Sequence, residues 1–122
     1  MLVNLSNHPS EQWDHKQLQS AIEKYGSIVD VQFPKVEAYA DSDEVFNLAI
    51  KYLALCSNLA KPNENVPFAV HIAGELCFVF HFVTLAKAAN VNCICSTTER
   101  IVTEIKNIRT STFNFIRFRK YF

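Results

Sequence analysis

Glycine is almost missing from this chain: it has two among 122 residues, Gly26 and Gly74, along with a single methionine and a single tryptophan. That scarcity excludes collagen-like repeats and glycine-rich linkers, and no internal repeat is visible. Neither sign of charge dominates, because twelve basic side chains balance twelve acidic ones. A general electrostatic reason to bind duplex nucleic acid or an anionic membrane is thereby removed, leaving Arg117, Arg119 and Lys120 as the one basic cluster. Long apolar runs are also lacking. The longest, 76–86, is interrupted by His81 and Thr84 and falls short of the about twenty residues that span a bilayer. No G-x-G-x-x-G follows the first strand and no G-x-x-x-x-G-K-[ST] occurs, which speaks against a dinucleotide enzyme and a nucleoside triphosphatase.

Cysteine is present four times, as Cys56, Cys77, Cys93 and Cys95, in apolar surroundings and with no secretory leader expected before them. These read as buried free thiols in a reducing, cytoplasmic compartment. Cys77, inside an apolar helix, reads as inert. Cys93-x-Cys95 lacks the two-residue gap and the second pair of a zinc knuckle, so neither a metal nor another cofactor is expected.

What the chain does have is apolar content, 49% of its residues. At this length that builds one domain, residues 1–122, burying roughly two-thirds of its unfolded surface. Residues 2–5 read as a short strand that Pro9 ends, with His8 still extended at its exit. Ser10 is expected to cap a helix carrying Trp13, Leu18, Ala21, Ile22 and Tyr25 on one face, and Gly26 to close it. Residues 27–33 form a second strand, stopped by Pro34. Asp41 or Asp43 opens the next helix, whose buried stripe is expected to be Val45, Phe46, Ala49, Ile50, Leu53 and Cys56. A polar loop at 61–65 leads to a strand at 68–73, apolar on both faces as a strand between helices should be.

The 76–89 segment is apolar around its whole circumference, with Lys87 its one charge. A small monomer would struggle to hide such a helix, so a homodimer with this helix at or near the interface is expected. Residues 91–95 form a fourth strand, 96–100 a polar turn at its exit, and 100–106 with 112–119 an antiparallel hairpin joined by 107–111. Strands alternating with helices specify a parallel sheet with right-handed crossovers. The expected architecture is therefore α/β, a Rossmann-like three-layer fold with four parallel strands, crossover helices and a C-terminal antiparallel hairpin.

In open parallel sheets ligands bind beyond the carboxyl ends of the strands, where helix N-termini offer unpaired amides. Three segments are expected at that edge: 6–10 after the first strand, 74–75 after the third and 96–100 after the fourth. Within them His8 is the best acid, base or phosphate contact, against the plainer reading of a solvent-facing loop histidine. Gly74 lets backbone approach a ligand, or merely makes a tight turn. Glu75 complements a helix dipole or bonds a ribose hydroxyl or base edge. Arg100 meets phosphate through its planar fork, or forms a surface pair with Glu99 or Glu104. His71 and His81 read as packed histidines, and His15 lies on a polar helix face.

The run Asn4-Leu5-Ser6-Asn7-His8-Pro9-Ser10 with Trp13, then Tyr25-Gly26-x-Ile28-Val29-Asp30, Phe33-Pro34, Gly74-Glu75, Ser96-Thr97-Thr98-Glu99-Arg100 and Phe115-x-Arg117-Phe118-Arg119-x-Tyr121 together resemble a group of short bacterial CRISPR-associated proteins. That group is similar to the CARF (CRISPR-associated Rossmann-fold) domains, and the resemblance covers nearly the whole chain. It implies a homodimer that binds cyclic oligoadenylate, the messenger of type III CRISPR antiviral defence, across its two-fold axis. Some members of the wider class are metal-independent ring nucleases, in which a ribose 2′-hydroxyl attacks the adjacent phosphorus. The resemblance puts Ser6, Asn7 and His8 on the ring, Gly74 and Glu75 at its flank and Arg100 on phosphate, with His8 and Arg100 as the catalytic candidates. Ser10, Ser96, Thr97 and Thr98 complete the expected ligand-binding set. Two other readings stay open: a protein-interaction module built on the 76–89 helix and the hairpin edge, with no nucleotide ligand, and a small enzyme acting on another phosphate-bearing metabolite.

Overall fold

The computed structural model describes residues 1–61 and 65–122. The chain runs β1 (Leu2–Ser6), a short 3-10 turn (Ser10–Gln12), α1 (His15–Tyr25), β2 (Ile28–Gln32), α2 (Ser42–Asn58), β3 (Ala69–Ala73), α3 (Leu76–Ala88), β4 (Cys93–Ile105) and β5 (Ile108–Lys120). The expected loop at 61–65 lies partly outside the described residues, at 62–64. The five strands form one mostly parallel sheet in the order β2-β1-β3-β4-β5. β1 pairs in parallel with β2 and β3, β3 runs parallel to β4, and β4 and β5 form the antiparallel C-terminal pair. No helix among the described residues is long and apolar enough to cross a membrane.

All five residues of β1 are buried, as a central strand covered on both faces requires. Successive side chains alternate between the faces. Val3 and Leu5 join Val70, Ile72 and Cys93 in a cluster closed by Phe78, Phe82 and Ala86 of α3 and Val45, Ala49 and Cys56 of α2. Leu2 joins Ala69, Ile94 and Trp13 in a second cluster with Ala21 and Tyr25 of α1. Phe78 and Phe82 are the largest fully buried side chains, and truncating either to alanine should cost about 3–5 kcal/mol.

Helix boundaries follow from caps. Asp41 starts α2 by accepting from the Glu44 amide at 2.8 Å, and Gly26 ends α1 at a positive φ of 79° that glycine adopts without a Cβ clash. Ser10 does not cap α1. It opens the 3-10 turn, and Asp14 caps the helix by accepting from the Gln17 amide at 2.8 Å. The Ser10 hydroxyl and amide are instead committed to the Asp30 carboxylate, at 2.7 and 3.0 Å. In α2 the buried stripe is narrower than periodicity predicts, since Phe46 and Ile50 are exposed.

The largest departure is in the C-terminal third. Residues 96–100 are not a turn but the middle of β4, which continues unbroken because β5 pairs with it row by row from Ile94↔Lys120 to Ile105↔Ile108. The reversal sits at Lys106 and Asn107, both at positive φ (51° and 65°), the signature of a two-residue hairpin turn, rather than at 107–111. Only Cys93 and Ile94 pair with β3, so the rest of the hairpin extends past the body of the sheet, and every residue from 98 to 114 is exposed.

Candidate functional site

Asp30, Asn4 and His71 occupy one row of the sheet, Asn4 being the register partner of both neighbours. All three face the α1 side, so polar groups line up across β2, β1 and β3 where the preceding row, Ile28, Leu2 and Ala69, is apolar. Asn4 joins them. Its Nδ2 donates to Asp30 Oδ1 at 2.8 Å and to the His8 carbonyl at 2.9 Å. Both partners are acceptors, which fixes the amide orientation and leaves Oδ1 to accept. That oxygen takes the Ser6 hydroxyl at 2.8 Å and His71 Nδ1 at 3.0 Å. His71 is therefore protonated on Nδ1, and its bare Nε2 accepts from Ser96 Oγ at 2.7 Å. Gln17 Nε2 donates to the same Ser96 oxygen at 3.0 Å.

The environment holds this network in one protonation state. His71 is 4% exposed, and burial, with a smaller contribution from nearby His8, pushes its imidazole down to about 4. It is neutral across the physiological range. For Asp30, burial acts to raise the carboxyl, but hydrogen bonds from the Ser10 side chain, Asn4 and the Ser10 amide outweigh it and hold the group below its usual range. Trp13 packs against His71, with ring centroids 5.0 Å apart in an edge-on arrangement, and donates Nε1 to the His8 carbonyl at 3.1 Å. The His8 loop is thus held by Asn4 and Trp13 together.

Two adjacent clefts open on this network. One, of about 410 Å³, is lined by Ser6, His8, Trp13, His71, Ser96 and Thr98 among others, with Phe113 and Phe115 at its hairpin side. The other, of about 470 Å³, lies across Ser6 and is lined by Asn4, Asn7, Asp30 and Phe33 among others. Among the described residues no group of three or more His, Cys, Asp or Glu side chains is arranged to hold a metal ion.

A profile of the Uncharacterized protein MJ1673 family matches residues 1–119. The chain belongs to the MJ1673 family. No curated protein and no solved structure matches it.

Of the residues predicted for the site in this MJ1673-family chain, Ser6, His8, Ser96 and Thr98 meet in the first cleft and Ser6 and Asn7 in the second. Ser10 stands at the edge of the network through Asp30. Gly74, Glu75, Thr97 and Arg100 serve elsewhere. A Cβ on Gly74 would lie 2.3 Å from the Phe33 ring, so the glycine makes room for an aromatic side chain of the protein itself. Both Glu75 carboxylate oxygens cap α3, accepting from the Cys77 and Phe78 amides at 3.1 and 3.0 Å. Thr97 Oγ1 donates to the Arg117 carbonyl at 3.1 Å and accepts from the Arg117 amide at 3.2 Å at the register shift in the hairpin. Arg100 is exposed on the projecting part of β4 and donates to Ser111 Oγ at 3.1 Å, in place of the anticipated pair with Glu99 or Glu104. Sequence reasoning missed His71, Asn4, Asp30 and Gln17. The available signal was polar residues at alternate positions, Asn4 and Ser6, inside an otherwise apolar strand.

Proposed function

We propose that this chain binds a nucleotide-like ligand, cyclic oligoadenylate, at the cleft between β1, β3 and β4, acting as a cytoplasmic homodimer with a Rossmann-like three-layer fold of the CARF type. The observation that carries the reading is the convergence of Ser6, His8, His71, Ser96 and Thr98, remote in the chain, on one cleft beside the exposed ring of Phe113. Hydroxyl, amide and imidazole groups suit phosphate and ribose oxygens, and aromatic faces suit bases, each stacked base contributing about 1–3 kcal/mol. The position agrees with the general rule that parallel sheets bind ligands beyond the carboxyl ends of their strands. His8, on the exposed rim, is the contact for a phosphate. Arg100 reaches a ligand that extends along the hairpin, outside the cleft of its own protomer.

A cleft of about 410 Å³ holds part of a ring of several nucleotides and not the whole, which supports a second copy of this chain as the other half of the site. Two surfaces are available to it. On α3, Phe78, Phe82 and Ala86 face the core while Leu76 and Phe80 are 83% and 68% exposed. On the hairpin, Ile105 and Ile108 are 71% and 69% exposed. The hairpin also carries Glu99, Glu104, Arg100, Lys106 and Arg109, a mixture of signs that a two-fold interface can satisfy against itself.

The test is calorimetry with cyclic tetra- and hexa-adenylate, paired with light scattering. Binding is expected to raise the melting temperature, since ligand at a hundredfold its dissociation constant adds about 2.7 kcal/mol. His8→Ala should weaken binding, and Ile105→Lys with Ile108→Lys or Leu76→Glu with Phe80→Glu should yield monomers. No heat with either ring removes the nucleotide reading and favours the one supported by the exposed apolar hairpin, a module that recruits a protein partner.

A further inference from the structure

The two edges of the sheet differ. β2 is five residues long and Pro34 follows soon after it, and short strands and proline both blunt an edge against further pairing. β5, at the opposite end of the strand order, is thirteen residues long. Its stretch Thr110-Ser111-Thr112-Phe113-Asn114-Phe115-Ile116 contains no charge, proline or glycine, and all of it except Phe115 is exposed. Such a strand with one side unpaired is a template for another strand. The two-residue turn at Lys106 and Asn107 decides which backbone groups are free. It makes Ile105 and Ile108 the closing hydrogen-bonded pair. The amides and carbonyls of Arg109, Ser111, Phe113 and Phe115 therefore point away from β4, along the open edge.

We propose that β5 of a second copy of this chain pairs antiparallel along this edge, centred on Thr112, and joins the two sheets into one. The assignment rests on the two-copy part of the reading above and not on the identity of the ligand. The residues of β5 select this register. A two-fold axis normal to the sheet keeps each face on its own side, so it must pass between two copies of the same residue. Centring on Phe113 or Asn114 sets Arg109 against the partner's Arg117 or the partner's Arg119, a like-charge pair. Centring on Ser111 shortens the paired stretch and leaves Phe115 open. Centred on Thr112, Ser111 meets the partner's Phe113 and Arg109 meets the partner's Phe115, with no like charges opposed. Exposed Ile108 then comes beside the partner's Ile116, exposed in the same way. The outward-facing residues of the two strands exchange about eight backbone hydrogen bonds, close to the about ten of a typical interface.

The pairing also completes the cleft between β1, β3 and β4. Among the described residues lining that cleft there is no Lys or Arg, and its hairpin side is made by Phe113 and Phe115. Arg109 shares their face of β5 but stands about 20 Å from Phe115 along its own strand. In the paired form the partner's Arg109 lies directly across from Phe115, where its guanidinium meets the ring and gives the cleft a cation from the other copy.

The experiment uses the full chain, with light scattering for oligomeric state and a Cys77→Ser background for cross-linking. Wild type should be a dimer at micromolar concentration. Ser111→Pro removes an amide that β4 does not use, so it should keep the wild-type circular dichroism and weaken self-association by about a hundredfold. Thr112→Cys faces its own copy across the axis, at about 4.5 Å between Cα atoms, and should give a disulfide-linked dimer under mild oxidation. Thr110→Cys combined with Asn114→Cys should do the same, and Thr110→Cys alone should not. A wild-type monomer overturns the pairing and the two-copy reading together. A dimer that survives Ser111→Pro, or that cross-links through Thr110→Cys alone and not through Thr112→Cys, overturns the pairing and leaves the two-copy reading to the exposed face of α3.

Discussion

The Nε2 atom of His71 lies 2.7 Å from the Oγ atom of Ser96 across two neighbouring strands. The imidazole is buried beneath Trp13 and Phe118, with ring centroids at 5.0 and 5.8 Å. A histidine in that position must stay neutral to remain satisfied, because the accepting nitrogen is already used by a hydroxyl.

Stability should accordingly depend on pH through this residue. Burial lowers His71 to about 4 in the folded protein, against about 6.5 in an unfolded chain. Between those values the unfolded chain binds a proton that the native state refuses. The contribution is therefore complete above about pH 6.5 and is lost as pH falls toward 4, amounting to on the order of 2–3 kcal/mol. The nearby His8 adds a smaller push in the same direction, and the Asn4 amide stands between the ring and the Asp30 carboxylate. Because the Asp30 carboxyl is held below its usual range, its own contribution is lost at lower pH still. Urea unfolding at pH 7 and pH 4.5 should show the loss in wild type and a flatter response in His71→Gln.

Asn4 binds three strands' worth of polar groups with one amide. Replacing it by alanine leaves His71 Nδ1 without an acceptor and withdraws donors from Asp30 and the His8 carbonyl. Buried groups left unpaired cost about 1–3 kcal/mol each, so Asn4→Ala should destabilise by about 3 kcal/mol in urea unfolding at pH 7. A loss below 1 kcal/mol would show that water replaces the amide without penalty.

The contact of Gly74 with Phe33 predicts a size limit. Alanine at 74 places a methyl 2.3 Å from the Phe33 ring, and that ring is itself packed edge-on against Phe78 at 5.1 Å. Gly74→Ala should lower stability by about 1–3 kcal/mol through overpacking, and Phe33→Leu in the same chain should recover part of it. Equal melting temperatures for wild type and Gly74→Ala would mean that Phe33 turns away freely.

The four free thiols should separate by reactivity. Burial drives Cys56 up to about 12, and burial with nearby Cys56 drives Cys93 up to about 12. Both are buried, Cys95 is half-buried and Cys77 is exposed in the first turn of α3. Cys77, expected from the sequence to be a buried thiol like the others, is instead exposed, as is its neighbour Leu76. An aromatic disulfide reagent at pH 8 should titrate Cys77 rapidly in the native protein and reach Cys56 and Cys93 only after denaturation.

Periodicity and punctuation made much of the fold legible. Val3, Leu5, Val70 and Ile72 read as strand residues from their apolar runs, and Gly26 and Asp41 marked helix ends through conformational freedom and capping chemistry that depend on nearest neighbours in the chain. The extent of β4 was not legible. Ser96, Thr97 and Thr98 carry turn-like polarity, and only pairing with residues 115–118 makes them strand. Ser6, His8, Ser96 and Thr98 were recognisable as polar residues following apolar runs, whereas His71 looked like any packed histidine because its partners lie 67 and 25 positions away.

By itself the sequence determined the α/β alternation, the two faces of each strand and the helix ends at Gly26 and Asp41, because these are set by interactions among residues a few positions apart. Tertiary structure alone decided that Asp30, Asn4 and His71 share one row, that Ser96 gives its proton to His71, that Gly74 serves Phe33 and that Arg100 stands on a projecting hairpin. Those relationships depend on strand order and register, which arise from the packing of the whole domain and leave no trace in the spacing along the chain.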